Sequence, residues 1–222
     1  MAILHRATLT PSKLELLQAW LPGEDWFDEF AAGAGIDASS LSLAGAYRFD
    51  DPAGEVGVES FLLRAGEHTV HVPLTYRAAP LEGVTAAGTM QHSVLGERWV
   101  YPGWLDPVYA ETLRFTISSA GKQAELMIQS DGQLTRREPD TFVRGSGAAD
   151  GGQNVTDGPN AGVSASRTTS TDDGVNVVIR DGGTELLVLR VVGSVPDVAS
   201  RGTLIGTWPG QSTPAVLAVL RP

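Results

Sequence analysis

The feature that most limits the possible folds of this 222-residue chain is a period-two alternation of apolar and polar residues in three successive segments. The segments are 41–49, 56–61 and 70–76, and the last of them alternates most cleanly. Successive side chains of a β-strand point to opposite faces, so the alternation predicts three strands. Residues 50–54 and 64–67 between them contain turn formers such as Asp, Pro and Gly. We therefore expect an antiparallel meander at the centre of the fold.

A helix is predicted just before this meander. Thr10 can cap a helix whose first residue is Pro11, a position where the missing N–H of proline is not needed. The helix should end at residues 22–23, which are Pro and Gly. Its apolar stripe, which we expect to cover the sheet, has helical spacing and consists of Leu14, Leu17 and Leu21.

A second helix and further strands are predicted after the meander. Asp106 and Pro107 repeat the cap-plus-proline signal, and Gly121 is suited to the end of that helix. The fold class is therefore α+β, with an N-terminal helix on an antiparallel sheet, a second helix and additional antiparallel strands. Strand patterns outside the meander lie at 85–92, 98–101, 124–129, 175–179, 186–192 and 215–220.

One segment is predicted to be a flexible connection. Residues 145–162 are rich in Gly, Ala, Asp and Asn and carry almost no large apolar side chain. The expected organisation is a domain at 1–144, the flexible loop at 145–162 and a β-rich segment at 163–222. Whether this last segment packs on the first domain or is a separate unit stays open.

Composition and charge exclude several classes of function. The chain has no cysteine, so disulfides and thiolate chemistry are excluded. The formal net charge is −10 and the pI is about 4.8, which disfavours binding to nucleic acid or to anionic membranes. The first ten residues lack the apolar core of a signal peptide, and from this we expect a cytoplasmic protein.

Residues that could carry chemistry are few. His68 and His71 are three positions apart on a predicted strand, so they should point to opposite faces and cannot share a metal ion. No catalytic triad, metal site or cofactor site is predicted. Aromatic residues near carboxylates could stack on a sugar, although burial in the core is the favoured explanation, because most large aromatics are buried. These aromatics are Trp26, Phe27, Trp99, Tyr101 and Trp104.

Several motifs resemble the N-terminal cap of bacterial maltokinases. A Trp-Leu-Pro stretch at 20–22 is followed by Trp26 and Phe27, with Asp25 where those kinases usually have an arginine. The resemblance spans roughly residues 5–120 and extends to short proteins that consist of a cap-like region without a kinase. It implies an N-terminal helix packed on a curved, cystatin-like antiparallel sheet. The further matching stretches are 72–77, which includes Arg77, then 80–83, 92–96, 98–101 and 106–109.

The second half of the chain has a weaker similarity to a kinase N-lobe. Residues 187–191 are similar to the kinase strand that carries the ATP-binding lysine, and Arg190 stands at that lysine's position. Arginine does not simply replace a point-charge lysine at a phosphate. Nothing in the sequence resembles a catalytic Asp loop or a metal-binding Asp motif. The resemblance therefore implies a protein without kinase activity, and the 163–222 segment could be a remnant of the N-lobe.

Three hypotheses of function follow. The first is a non-catalytic accessory or regulatory protein that contacts another protein, an enzyme of trehalose, maltose or glycogen metabolism. The second is a vestigial kinase that binds a sugar or nucleotide near Arg190 or residues 99–104. The third is an enzyme that uses scattered carboxylates, for which no acid/base pair can be located. If the first holds through an aromatic interface, Trp26, Phe27 and Trp104 should form an exposed apolar patch. The full set of interaction or ligand candidates is Trp26, Phe27, Arg77, Trp99, Tyr101 and Trp104.

Overall fold

A computed structural model describes residues 2–5, 7–130, 133–147, 169–181, 184–194 and 199–222. The predicted loop at 145–162 lies outside the described residues from position 148 on. Among the described residues the chain is α+β, as predicted.

The described part of the chain contains three α-helices. They are α1 (Lys13–Trp20), α2 (Asp25–Ala34) and α3 (Pro107–Ser118). The predicted start of α3 is confirmed, because the Asp106 carboxylate accepts from the backbone N–H of Val108 at 3.0 Å and Pro107 is the first helical residue. Helix α3 ends at Ser118, slightly before the predicted Gly121.

The predicted start of α1 is wrong by two residues. Ser12 caps the helix, and its hydroxyl accepts from the N–H of Glu15 at 3.3 Å while Glu15 accepts from the N–H of Ser12 at 2.7 Å. This reciprocal pair satisfies two N-terminal donors at once. Thr10 lies instead in a short strand, β2 (Leu9–Thr10).

The predicted meander is confirmed as part of a six-stranded antiparallel sheet, the first sheet. Its strand order is β2-β6-β7-β5-β4-β3. The remaining strands are β3 (Ser42–Phe49), β4 (Gly57–Ala65), β5 (His68–Arg77), β6 (Gly88–His92) and β7 (Gly96–Pro102).

Helices cover both faces of the first sheet. Lys13 at the start of α1 lies over the rings of Phe61 and Tyr76, with its Nζ atom 5.8 and 5.6 Å from the ring centroids. Asp106, the cap of α3, accepts a 2.7 Å hydrogen bond from Thr75. Thr75 and Tyr76 are neighbours on β5 and therefore point to opposite faces. The predicted packing of the N-terminal helix on the sheet is thus confirmed.

A second six-stranded antiparallel sheet is built mainly from the end of the chain, in the order β10-β14-β15-β13-β12-β11. Strand β15 follows all the others in sequence, yet it lies between β14 and β13. Leu186, Leu187, Val188 and Leu189 are all buried, which confirms a strand covered on both faces. The strands are β10 (Phe142–Gly145), β11 (Thr169–Asp173), β12 (Asn176–Asp181), β13 (Thr184–Leu189), β14 (Gly202–Trp208) and β15 (Gln211–Arg221).

The two sheets share one hydrophobic core. The N–H of His71 donates to the carbonyl of Arg190 at 2.7 Å, and the N–H of Val192 donates to the carbonyl of Thr69 at 2.9 Å. Buried residues of both sheets belong to the same apolar cluster, with Val70 and Leu74 from the first and Val188 from the second. The described residues 169–222 therefore pack against the cap-like region.

A small third sheet joins the start of the chain to its middle. Strand β1 (Ala2–His5) pairs in parallel with β8 (Leu126–Ser130), which pairs antiparallel with β9 (Gln133–Arg137). Within the described residues, no helix combines the length and apolar character needed to cross a membrane.

Candidate functional site

A cavity opens beside the start of α1. Its volume is about 500 Å³, within the range of small-ligand sites. Its walls come from α1, from the turn between β3 and β4, and from the edges of β5, β6 and β7. The polar residues that line it are Lys13, Arg48, Asp50, Asp51, Glu55, Tyr76, His92 and Arg98.

Two of the lining cations share one carboxylate behind the wall. The Nζ atom of Lys13 lies 2.6 Å from Glu59 Oε2, and Nη2 of Arg48 lies 3.0 Å from the same oxygen. Glu59 itself is buried. Burial alone would raise the pKa of Glu59, but the charges of Arg48 and Lys13 outweigh it and lower the pKa to about 2. The carboxylate is therefore ionised at neutral pH.

Lys13 and Tyr76 complete the wall around this ion triad. Burial lowers the pKa of Lys13, an effect that Glu59 opposes and Arg48 reinforces. Burial and the nearby Glu59 carboxylate raise the pKa of Tyr76 well above its usual value, so its phenol stays neutral. The Nε atoms of Arg48 and Arg98 are buried, and neither completes a hydrogen bond within the described residues.

The rim of the cavity is formed by two turns. Asp51 closes the β3–β4 turn, where its carboxylate accepts from the N–H groups of Ala53, Glu55 and Val56 at 2.8–3.0 Å. In the β6–β7 hairpin, His92 Nδ1 accepts from the N–H of Leu95 at 3.1 Å. The same hairpin is fixed by Arg98, whose Nη2 donates to the carbonyl of Leu95 at 2.6 Å. Val94 and Leu95 at its tip are 56% and 46% exposed.

A second cavity of about 420 Å³ lies between the end of β3 and α3. Its lining is mostly apolar or neutral, with Phe49, Phe115 and Thr112 on its walls. The charged residues that line it are Asp50, Lys122 and Glu125. Fewer polar groups converge here than in the first cavity.

Arg190 lies away from both cavities. Its guanidinium carbon sits 4.7 Å from the ring centroid of Trp26 and 4.5 Å from that of Trp104, and the residue is 2% exposed. A guanidinium between two indole faces gains cation–π attraction, which is largest when water is excluded. Arg190 therefore joins the end of β13 to α2 and to the short 3-10 helix Gly103–Leu105.

The expected exposed aromatic patch is absent from the described structure, and that expectation is wrong. Trp26, Phe27 and Trp104 are 5%, 1% and 4% exposed. Trp26 contacts Phe27 and Trp104 edge-on, at centroid distances of 5.7 and 6.4 Å. These rings lie in the core because α2, which the sequence analysis did not predict, turns its apolar face toward the sheet.

The other three candidates lie together near the start of α3. Arg77 binds Asp106 through two parallel hydrogen bonds of 2.7 Å, and Trp99 is half-buried opposite Arg77 on β7. The buried Tyr101 hydroxyl accepts from the N–H of Leu81 at 2.7 Å. These contacts give Arg77 and Tyr101 a role in joining β5 and β7 to their neighbours.

The two strand histidines are separated as predicted. His68 is exposed and packs against the Phe30 ring, while His71 is buried. The described residues contain no group of three or more His, Asp or Glu side chains that could hold a metal ion.

The sequence analysis missed Lys13, Arg48 and Glu59. One signal for Glu59 was available in the sequence. In the period-two pattern, Glu59 lies on the same side of the strand as Gly57 and Phe61, and this side points toward the core. A carboxylate at such a position needs a cationic partner. The identity of its partners depends on how α1 docks on the sheet, and no local pattern reveals that.

Comparison with known families agrees with the motif resemblance. Residues 20–106 match the family model of the maltokinase N-terminal cap domain, a region that covers less than half of the 222 residues. It includes α2 and β3 to β7, and it ends at the cap of α3. The resemblance to this cap is confirmed for these residues. No curated protein and no solved structure matches the chain.

Proposed function

We propose that this chain is a non-catalytic accessory or regulatory protein that acts by contact with another protein in maltose, trehalose or glycogen metabolism. The observation that carries the proposal is the match of residues 20–106 to the maltokinase N-terminal cap domain. That match associates the chain with maltose and trehalose metabolism. It covers a cap domain and includes no kinase catalytic domain.

The surroundings of Arg190 support a role without phosphoryl transfer. A lysine that binds ATP must reach the phosphates as a mobile point charge. The Arg190 guanidinium is instead held between Trp26 and Trp104, and neither cavity is lined by it. Its position favours a structural role in joining the second sheet to the cap.

The partner surface proposed here is the tip of the β6–β7 hairpin. Val94 and Leu95 are adjacent and large, and both are about half exposed, whereas Trp26, Phe27 and Trp104 are buried. Exposed apolar pairs flanked by polar residues are typical of protein contacts. The hairpin also lies within the region that matches the cap domain.

Capture of partners from an extract of the source cells tests this proposal. The purified full chain should enrich an enzyme of maltose, trehalose or glycogen metabolism, identified by mass spectrometry. The double variant Val94→Ser/Leu95→Ser should lose that enzyme. Leu134→Ser, at a residue of similar exposure on β9, should retain it. Equal recovery by the hairpin variant and the wild type would exclude the hairpin, and enrichment of no such enzyme would contradict the accessory role.

The second candidate function is binding of a sugar or nucleotide. The observation that favours it is the 500 Å³ cavity beside α1. This cavity lies away from Arg190 and residues 99–104, where the sequence analysis had expected a ligand site.

A further inference from the structure

Part of the lining of the larger cavity is positively charged. Lys13 and Arg48 share a single buried carboxylate oxygen of Glu59, so this triad has a net charge of about +1. Arg98 lines the same cavity. This concentration of cations stands against the formal net charge of −10 of the whole chain. Partly desolvated cations that outnumber their counter-ions are stabilised by an anion.

Buried donors also lie near this wall. The Nε atoms of Arg48 and Arg98 are buried, and neither completes a hydrogen bond within the described residues. Both residues line the cavity. Buried donors without acceptors are costly in a folded protein. Guanidinium groups are well matched to oxyanions, because they donate two parallel hydrogen bonds.

Three carboxylates also line the cavity. Asp50, Asp51 and Glu55 lie on the β3–β4 turn and line the cavity. Their carboxylates can accept hydrogen bonds from hydroxyl groups, and they repel a ligand that carries several negative charges. A volume of about 500 Å³ is larger than a phosphate ion needs and suits a sugar-sized body.

We propose that this cavity binds a small phosphorylated polyhydroxylated ligand, of the size of a sugar monophosphate. Its phosphate lies against Lys13, Arg48 and Arg98, and its hydroxyls face the carboxylates of the β3–β4 turn. This inference deepens the ligand-binding candidate above and does not depend on the protein contact. If the partner capture fails, the proposed ligand site is unaffected. If the ligand does not bind, the proposed accessory role is unaffected.

Titration calorimetry on the full chain tests the proposal with four probes: glucose 1-phosphate, glucose, inorganic phosphate and ATP. Saturable binding is expected for glucose 1-phosphate at about millimolar concentration or below. Binding of the other three should be weaker by roughly tenfold or more. Glucose lacks the phosphate, inorganic phosphate lacks the sugar hydroxyls, and ATP carries several negative charges. Affinity for glucose 1-phosphate should also fall as salt is raised.

Two pairs of variants locate the site. Lys13→Met and Arg98→Gln should each weaken glucose 1-phosphate binding by about tenfold or more. The matched controls Lys122→Met, beside the second cavity, and Arg144→Gln, at an exposed position of β10, should stay within about twofold of the wild type. Circular dichroism spectra show whether each variant keeps its fold.

Several results would overturn the inference. One is the absence of saturable heat with glucose 1-phosphate. A second is equal binding of glucose, which would show that the phosphate group does not contribute to binding. Equal binding of inorganic phosphate would show that the sugar hydroxyls do not contribute to binding. Equal binding of ATP would show that the cavity does not select against ligands with several negative charges. Loss of binding in Lys122→Met but not in Lys13→Met would place the ligand in the second cavity.

Discussion

His71 shows how burial decides the protonation state of a single residue. Its Nδ1 atom lies 3.1 Å from the carbonyl oxygen of Leu189, and its Nε2 atom lies 2.9 Å from the hydroxyl of Tyr47. A carbonyl can only accept, so Nδ1 carries the proton and Nε2 accepts from Tyr47. Burial lowers the pKa of His71 to about 4, although the Leu189 carbonyl acts in the opposite direction. The ring is therefore neutral at neutral pH.

The free energy of unfolding should depend on pH through this residue. The pKa is about 4 in the folded state and 6.5 as the reference value, so between these values the unfolded chain binds more protons. Stability therefore rises from pH 4 to 6.5 and is flat above, with a contribution of about 3 kcal/mol from His71. Urea unfolding at several pH values measures it. Glu59 acts in a lower window, since its pKa falls from 4.5 to about 2.

A matched pair of variants isolates the effect of His71. His71→Gln keeps a donor and an acceptor but cannot titrate, so the slope between pH 4 and 6.5 should decrease. His68→Gln, at an exposed position, should keep the slope of the wild type. An unchanged slope in His71→Gln would show that the buried ring does not control the pH dependence.

The candidate site also shows what single residues reveal in a sequence. Trp26 and Trp104 were identified as candidates because aromatics near carboxylates are compatible with both a sugar site and a hydrophobic core. Only the packing of α2 shows which of the two they form. Lys13, Arg48 and Glu59 come from three elements and meet only after α1 docks on the sheet. Their residue types were visible, but their contact was not.

At the scale of elements, the predicted parts of the fold have strong local causes. The meander was predictable from its period of two, and α3 from its Asp-Pro start. Helix α2 was missed because its acidic residues were interpreted as a possible site. Strands β10 and β14 were missed because Gly145, Gly202 and Gly206 weaken the strand pattern. These glycines allow close approach, which is a property of the packed structure.

Gly145 on β10 is predicted to be intolerant of any side chain. A Cβ atom there would collide with the Thr116 carbonyl oxygen and with the backbone of Ile117 at the end of α3. Because backbone atoms cannot move aside easily, Gly145→Ala should lower the free energy of unfolding by at least about 2 kcal/mol. Denaturant unfolding measures the loss.

Gly33 in α2 is the control for this prediction. Nothing lies within 4 Å of a Cβ atom placed there, and the residue is helical. Gly33→Ala should therefore raise stability by about 0.5 kcal/mol, because alanine loses less conformational entropy in a helix. If Gly145→Ala did not lower the free energy of unfolding more than Gly33→Ala does, the protein would lack the close contact between β10 and α3.

At the scale of the whole molecule, the two large sheets are joined by a continuous core. Hydrogen bonds between β5 and the segment after β13 add to the shared apolar cluster. The Arg190 side chain adds a third connection. The described parts of 1–144 and 163–222 are thus expected to lose structure together.

Unfolding should accordingly be a single cooperative transition. Trp208 lies on β14 of the second sheet, while the other four tryptophans lie within residues 20–104. In a Trp208→Phe variant, fluorescence reports only on the cap-like region, whereas far-UV circular dichroism reports on all strands. The two midpoints should coincide in urea, and separate midpoints would show that the second sheet unfolds by itself.

The position of β15 has a consequence for the newly made chain. This strand is the last of its sheet to leave the ribosome, yet it separates β14 from β13 and pairs with both. Until it emerges, β13 and β14 each expose a row of unpaired N–H and C=O groups along an apolar strand. The nascent protein therefore completes its second sheet only after β15 has emerged, and chaperones have an open sheet edge to protect until then.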